Sequence, residues 1–213
     1  MHLLVVAATE SELASLVTSP LAGGHRADTL ITGVGMVATA VQVSRALAHT
    51  PYDLALNVGI CGAFDRFLPL GTVVHVTSDR LAELGVEDAD VFLPADDVGL
   101  VAADDMVFNS GHHGAPELRA SATFTGLPHV SGITVNTVHG NDASIAMVAN
   151  RWHPQVESME GAAFMAACRA AGVPYAQIRG VSNYVERRNR AAWKMAEAIE
   201  ALGRTTTAIL NEL

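Results

Sequence analysis

Residues 158–183 read SMEGAAFMAACRAAGVPYAQIRGVSN. Small and apolar residues at helical spacing fill the first half, and Gly172 with Pro174 forms a stop signal, which predicts a helix over 159–171. From Tyr175 to Val181 the chain is a short apolar run bounded by a turn, which predicts a buried strand. The same alternation extends outward. Residues 2–8 (HLLVVAA), 29–32, 54–58 and 72–77 have strand character, and 131–138 is β-rich. Residues 37–48, 143–151 and 191–210 have helical period, and Val37, Ala40, Val41, Ser44 and Leu47 share one face. Residues 79–115 read as loop-rich. The pattern predicts a single α/β domain over residues 1–213, with a mostly parallel twisted central sheet flanked by helices. Ligands of such sheets gather at the carboxyl ends of strands, so functional candidates should follow residues 8, 32, 58, 138 and 181.

Of the 213 residues, 50% are hydrophobic and 16% charged, which excludes a disordered chain. The net charge of −9 repels a polyanion, so the expected partner is a small molecule and not a nucleic acid. Lys194 is the only lysine, which leaves little room for Schiff-base or P-loop chemistry. Cys61 and Cys168 are far apart in apolar surroundings, in neither a disulfide framework nor a zinc spacing. Nine scattered histidines, His112 and His113 among them, have no metal-ligand spacing and read as surface residues; no metal and no cofactor are expected. No signal peptide or membrane-spanning run is read, so the expected compartment is the cytoplasm.

Five stretches stand where the sheet should deliver a ligand. Gly33-Val34-Gly35-Met36-Val37-Ala38 fits a dinucleotide fingerprint, but its acidic partner fails: Asp53 precedes the next strand instead of ending it. These glycines read better as a tight strand-to-helix turn. Glu10 and Glu12 follow the first strand, where a carboxylate can accept a proton from water or simply favour a helix start. Ile60, Cys61 and Gly62 follow the strand ending near Val58, in small-residue backbone that lets a planar group come close. Glu160 sits at a helix start, where a carboxylate can accept both hydroxyls of a ribose diol, with the soft Met159 beside it. Ser182 and Asn183 follow the last strand, and an Asn amide matches the donor–acceptor edge of a 6-oxopurine.

Taken in order, Gly33-Val-Gly35, Asn57–Ala63 (residues 57–63), Ser158-Met-Glu160-Gly-Ala-Ala and Arg179-Gly-Val-Ser182-Asn183 resemble the nucleoside phosphorylase/nucleosidase superfamily over nearly the whole chain. Within it, Ser-Met-Glu-Gly-Ala-Ala-Phe, Ser-Asn-Tyr-Val-Glu-Arg and the following Trp193 are most similar to the futalosine hydrolase family, nucleosidases of the alternative menaquinone route. Phosphorylases of this superfamily carry a phosphate-gripping arginine where this chain has Asn57, and a hydroxyl residue where it has Ile60. The resemblance therefore implies water as the nucleophile, with no guanidinium to seat an inorganic oxyanion.

By the same resemblance, Glu12 activates the water, Glu160 holds the ribose diol and Met159 packs on the sugar. Asn183, with Ser182, supports the departing base, while Val135, Asn136, Thr137 and Val138 line its slot. Adenine-releasing nucleosidases of the superfamily have Asp at the Asn183 position. Asn183 cannot give a full proton, which suits hypoxanthine, the better leaving group. The futalosine family's substrate ends in a benzoate, for which Arg187, Arg188 or Arg190 and the wall of Trp193 are candidates. A homodimer or higher homo-oligomer is implied by analogy. The rival readings are an adenine-releasing nucleosidase, an inosine phosphorylase and a non-catalytic nucleoside sensor. The sensor would need Glu160 but not Glu12.

Overall fold

The computed structural model describes residues 1–16, 21–102, 105–109 and 115–213. Ten strands and six α-helices are assigned among them. The strands are β1 (His2–Ala7), β2 (Arg26–Ile31), β3 (Leu54–Ala63), β4 (Val73–Leu81), β5 (Gly85–Asp88), β6 (Val91–Pro94), β7 (Val107–Asn109), β8 (His129–Thr134), β9 (Val156–Ser158) and β10 (Tyr175–Tyr184). The helices are α1 (Glu10–Leu13), α2 (Met36–His49), α3 (Ala122–Thr125), α4 (Asp142–Trp152), α5 (Gly161–Ala171) and α6 (Met195–Asn211).

Strand β1 explains the layering. Its residues alternate between two cores, as side chains on a strand must. Leu3, Val5 and Ala7 join Leu54, Leu56, Ile178 and the α6 residues Leu202, Ile209 and Leu210. Leu4 and Val6 join Val43 of α2 and Phe164, Met165 and Cys168 of α5. The sheet is thus covered on both faces, and each aliphatic side chain buried there contributes about 1.5–3 kcal/mol. Five of the eight pairings in the main sheet are parallel. The sheet also departs from an open one. Strand β10 pairs with both β3 and β4, and β8 and β9 complete the circuit, so five strands close on themselves. Cys61, Val74, Val76, Val130, Val156 and Val181 form a third core there.

Several boundaries differ from the sequence expectation. Strand β3 runs on to Ala63 because Gly62 and Ala63 find new partners in β9 after β1 has ended. Strand β10 runs on to Tyr184, with a register shift between Val181 and Asn183. Ile60, Cys61, Gly62, Ser182 and Asn183 are therefore strand residues and not turn residues. Strand β8 spans only His129–Thr134, so Asn136, Thr137 and Val138 lie beyond it. The expected helix over 159–171 starts at Gly161, and the final helix starts at Met195. The stretch 79–115 holds the end of β4, the β5–β6 hairpin and β7. His112 and His113 lie outside the described residues.

The face expected of α2 is also the wrong one. Val37 and Val41 are exposed, whereas Thr39 and Val43 are buried against the sheet.

Gly180 shows how closely α6 lies on β10. A methyl group there would stand 2.7 Å from the Ala198 carbonyl oxygen, and backbone cannot rotate away. Gly180→Ala should lower stability by about 1–3 kcal/mol, as overpacking does, measured by denaturant unfolding.

Candidate active site

A cavity of about 290 Å³ opens where β1, β3 and β10 end and α5 begins. Four carboxyl-bearing residues line it: Glu12, Glu157, Glu160 and Glu186. Glu12 sits on α1, the single turn of helix after β1, where Thr9 and Glu12 form a capping box. Its carboxylate is 6% exposed and accepts three hydrogen bonds. Thr9 donates its backbone N–H (3.0 Å) and hydroxyl (2.9 Å) to Oε2, and the Ile60 N–H donates to Oε1 at 3.0 Å. Three donors fix the carboxylate's direction and leave one of its four lone-pair sites for another donor.

Glu160 is the residue just before α5, also buried. Its Oε1 accepts the Gly35 N–H at 3.1 Å. Gly33 and Gly35 both have positive φ, 83° and 99°, which a side chain would strain. The glycines that mimic a dinucleotide fingerprint thus serve to aim a backbone N–H at this carboxylate. Asp53, the acidic partner that fingerprint wanted, caps the His2 N–H instead.

Beneath both carboxylates lies Arg179, 1% exposed. Its Nε and one terminal nitrogen donate to Gln177 Oε1 (3.0 and 2.9 Å), and that same terminal nitrogen donates to Asn57 Oδ1 (2.6 Å). The other terminal nitrogen faces Glu160 Oε2 (3.4 Å) and the Ile60 carbonyl (3.5 Å). Asn57 is oriented by its own bond to the Val6 carbonyl. The expectation that no guanidinium would lie at the site is therefore corrected: one is present, but all three of its nitrogens serve protein acceptors. Sequence shows neither the burial of Arg179 nor its partners.

Behind this group, Asp79 accepts from Gln177 Nε2 and the Thr134 hydroxyl, each at 2.9 Å. Burial pushes its carboxyl up to about 6, against the pull of Gln177, Thr134 and the Arg179 charge. Cys61 lines the cavity, but burial pushes its thiol up to about 12, so it is no nucleophile.

Of the remaining expected residues, Ile60, Gly62, Val138, Met159, Ser182, Asn183, Arg188 and Trp193 line the cavity. Asn183 Oδ1 accepts from the Ser182 hydroxyl (2.8 Å) and its Nδ2 donates to the Tyr184 carbonyl (3.1 Å), which leaves one amide hydrogen and one lone pair. Arg188 and Arg190 both lie near the Trp193 ring, at 5.4 and 5.9 Å from its centroid. Val135, Asn136, Thr137 and Arg187 do not line the cavity. Val135 points into a core with Ile133 and Val148, Asn136 is held outside by Glu83, and Thr137 and Arg187 are exposed. The chain turns away after Thr134, so a slot expected over 135–138 reduces to Val138. The reading of the histidines as surface residues fails at His139, which lines the cavity beside Glu157. Among the described residues, no group of three or more His, Cys, Asp or Glu is placed to hold a metal ion, and no helix is long and apolar enough to cross a membrane.

Gly59 is the hinge of this geometry. A methyl group there would collide with the Arg179 guanidinium and stand 2.9 Å from Glu12 Oε1. Gly59→Ala should break the Glu12–Ile60 hydrogen bond, visible in a crystal structure of the variant, and cost about 1–3 kcal/mol of stability.

Known proteins resemble this chain in sequence and in fold. The family model described as the phosphorylase superfamily matches residues 8–211. A futalosine hydrolase of Streptomyces coelicolor is 36% identical over an alignment of 223 positions, covering 95% of this chain and 92% of the relative. A futalosine hydrolase of Thermus thermophilus is 32% identical, covering 86% and 80%. In fold, the chain is similar to a 5′-methylthioadenosine/S-adenosylhomocysteine nucleosidase of Colwellia psychrerythraea solved with adenine (TM-score 0.81, 19% identity, 100% and 96% covered).

Proposed function

This chain belongs to the phosphorylase superfamily, and on that footing we propose that it hydrolyses the N-glycosidic bond of futalosine to release hypoxanthine. The observation that carries the reading is the pairing of two buried carboxylates over a guanidinium whose nitrogens are all engaged. A phosphorolytic site needs cationic donors for a dianion beside the anomeric carbon. Here Glu12 and Glu160 themselves present carboxylate to the cavity and Arg179 has no unengaged nitrogen, which disfavours phosphate and suits water.

The geometry supports the following roles. Glu160, fixed by Gly35 and Arg179, accepts the ribose 2′ and 3′ hydroxyls and lies close to the positive charge that develops on the sugar. The C1′–N9 bond breaks with its electron pair going to the purine. Water adds to C1′, Glu12 takes its proton on the lone-pair site left by Thr9 and Ile60, and the purine anion takes up a proton from solvent to leave as neutral hypoxanthine. Asn183 offers its remaining amide hydrogen to the departing base, and Met159 packs on the sugar. Arg188 at the Trp193 ring meets the benzoate of the 5′ extension. The exposed Val37 and Val41 of α2, with the cavity-lining Val34 just before it, offer apolar surface suited to a second copy of the chain in a homo-oligomer. Two buried free cysteines fit a reducing compartment such as the cytoplasm.

Incubation with futalosine, inosine and methylthioadenosine, with and without phosphate, tests the reading. Hypoxanthine and a free sugar should appear at a rate independent of phosphate; ribosyl 1-phosphate as product would sink it. Glu12→Gln should lose about 10²–10⁴ in kcat while staying folded, with a modest fall in melting temperature because its NH₂ must face the Thr9 or the Ile60 donor. Arg188→Ala should raise KM for futalosine about 2- to 5-fold, the worth of an exposed ion pair, and leave KM for inosine unmoved.

A further inference from the structure

One pair in the cavity has no part in the steps above. His139 is half-buried in the segment after β8. Its Nδ1 lies 2.6 Å from Glu157 Oε2, and its backbone N–H donates to Glu157 Oε1 at 3.0 Å. Glu157 is 3% exposed, and both its oxygens are engaged with this one residue. Two bonds from one residue, with the Phe64 ring alongside, set the imidazole's direction.

The pair stands beside Gly62, which also lines the cavity. Gly62 of β3 pairs with Glu157 of β9 on one side and with Asn183 of β10 on the other. A methyl group on Gly62 would lie 3.0 Å from Val185 Cγ2, 3.2 Å from Asn183 Nδ2 and 3.6 Å from Glu157 Cγ. Three side chains thus close around this backbone, and the register places Glu157 and Asn183 on either side of it at the cavity wall.

An ionised carboxylate only accepts hydrogen bonds, so the neutral ring must place its hydrogen on Nδ1. Nε2 is then a lone pair. We propose that His139 Nε2 accepts the N1–H of the 6-oxopurine and so determines base specificity, with Glu157 as the positioning residue that sets the tautomer. Hypoxanthine has a hydrogen on N1; adenine has a lone pair there. Adenine in the same slot would set two lone pairs against each other and leave both without a donor, a mismatch that sites use to reject analogues. The inference rests on the hypoxanthine-releasing reading and adds the residue that reads the base.

The decisive variant is Glu157→Gln. Its amide oxygen can still accept the His139 backbone N–H, while its NH₂ donates to Nδ1. That forces the ring hydrogen onto Nε2, which then offers a donor suited to adenine N1. The wild type should prefer inosine over adenosine by ~10² or more in kcat/KM. Glu157→Gln should lower that ratio by a similar factor, with adenosine turnover rising in absolute terms, which a merely structural loss would not produce. ¹⁵N NMR of the imidazole should report an unprotonated Nε2 in the wild type and a protonated one in Glu157→Gln. If Glu157→Gln fails to fold, His139→Ala serves: its loss on inosine should exceed its loss on adenosine by at least about tenfold. An unchanged ratio in the folded variants, or an Nε2–H in the wild type, overturns the inference while hypoxanthine release stands. A wild type that releases no hypoxanthine from futalosine or inosine overturns the functional reading itself.

Discussion

A single buried guanidinium organises this protein. Arg179 reaches from β10 under β3, and its hydrogen bonds join Asn57, Gln177, the Ile60 carbonyl and Glu160. A charge taken that far from water is tolerated only when its donors are satisfied, and removing one partner of such a pair costs about 3–5 kcal/mol. The closure of the sheet follows from the same region. Strand β10 must lie beside both β3 and β4 to bring Arg179, Gln177 and Asp79 into one layer. Gly59 and Gly161 lack side chains where that layer passes; at Gly161 a methyl group would collide with Asp79 and Gln177.

The two carboxylates proposed for catalysis are built outward from this layer. Glu160 takes its position from Arg179 below and the Gly35 N–H beside it. Glu12 takes its position from the Ile60 N–H, whose own carbonyl faces Arg179. Each carboxylate is thus pre-aimed by backbone donors and needs no reorganisation when charge develops on a sugar. The same arrangement separates hydrolysis from phosphorolysis. A free guanidinium would recruit an inorganic anion, whereas one enclosed by its own amides and a carboxylate cannot.

Much of this was legible in the residues and some was not. Glu12, Met159, Glu160 and Asn183 stood out because they follow strands or open a helix, and the carboxyl ends of strands are where a sheet delivers its ligand. Val135, Asn136 and Thr137 were expected at the cavity and are absent from it, because a stretch of β-formers does not show where the chain turns aside; Arg187 is exposed, and spacing alone does not tell it from the cavity-lining Arg188. Arg179 and His139 carry no such signal, for a related reason. An arginine in a strand and a histidine in a loop look like solvent-facing residues until their partners, far away in sequence, are known. The outward stripe of α2 makes the same point: spacing defines a face, but not which face meets the sheet.

The amino-acid sequence by itself determined the alternation of strands and helices, the family resemblance and the residue types at the strand ends, since these depend on local periodicity and short motifs. Only the tertiary structure decided the closed circuit of five strands, the enclosure of Arg179 and the Glu157–His139 pair. Each of these joins residues from elements distant along the chain, and their hydrogen bonds exist only once the packing has excluded water.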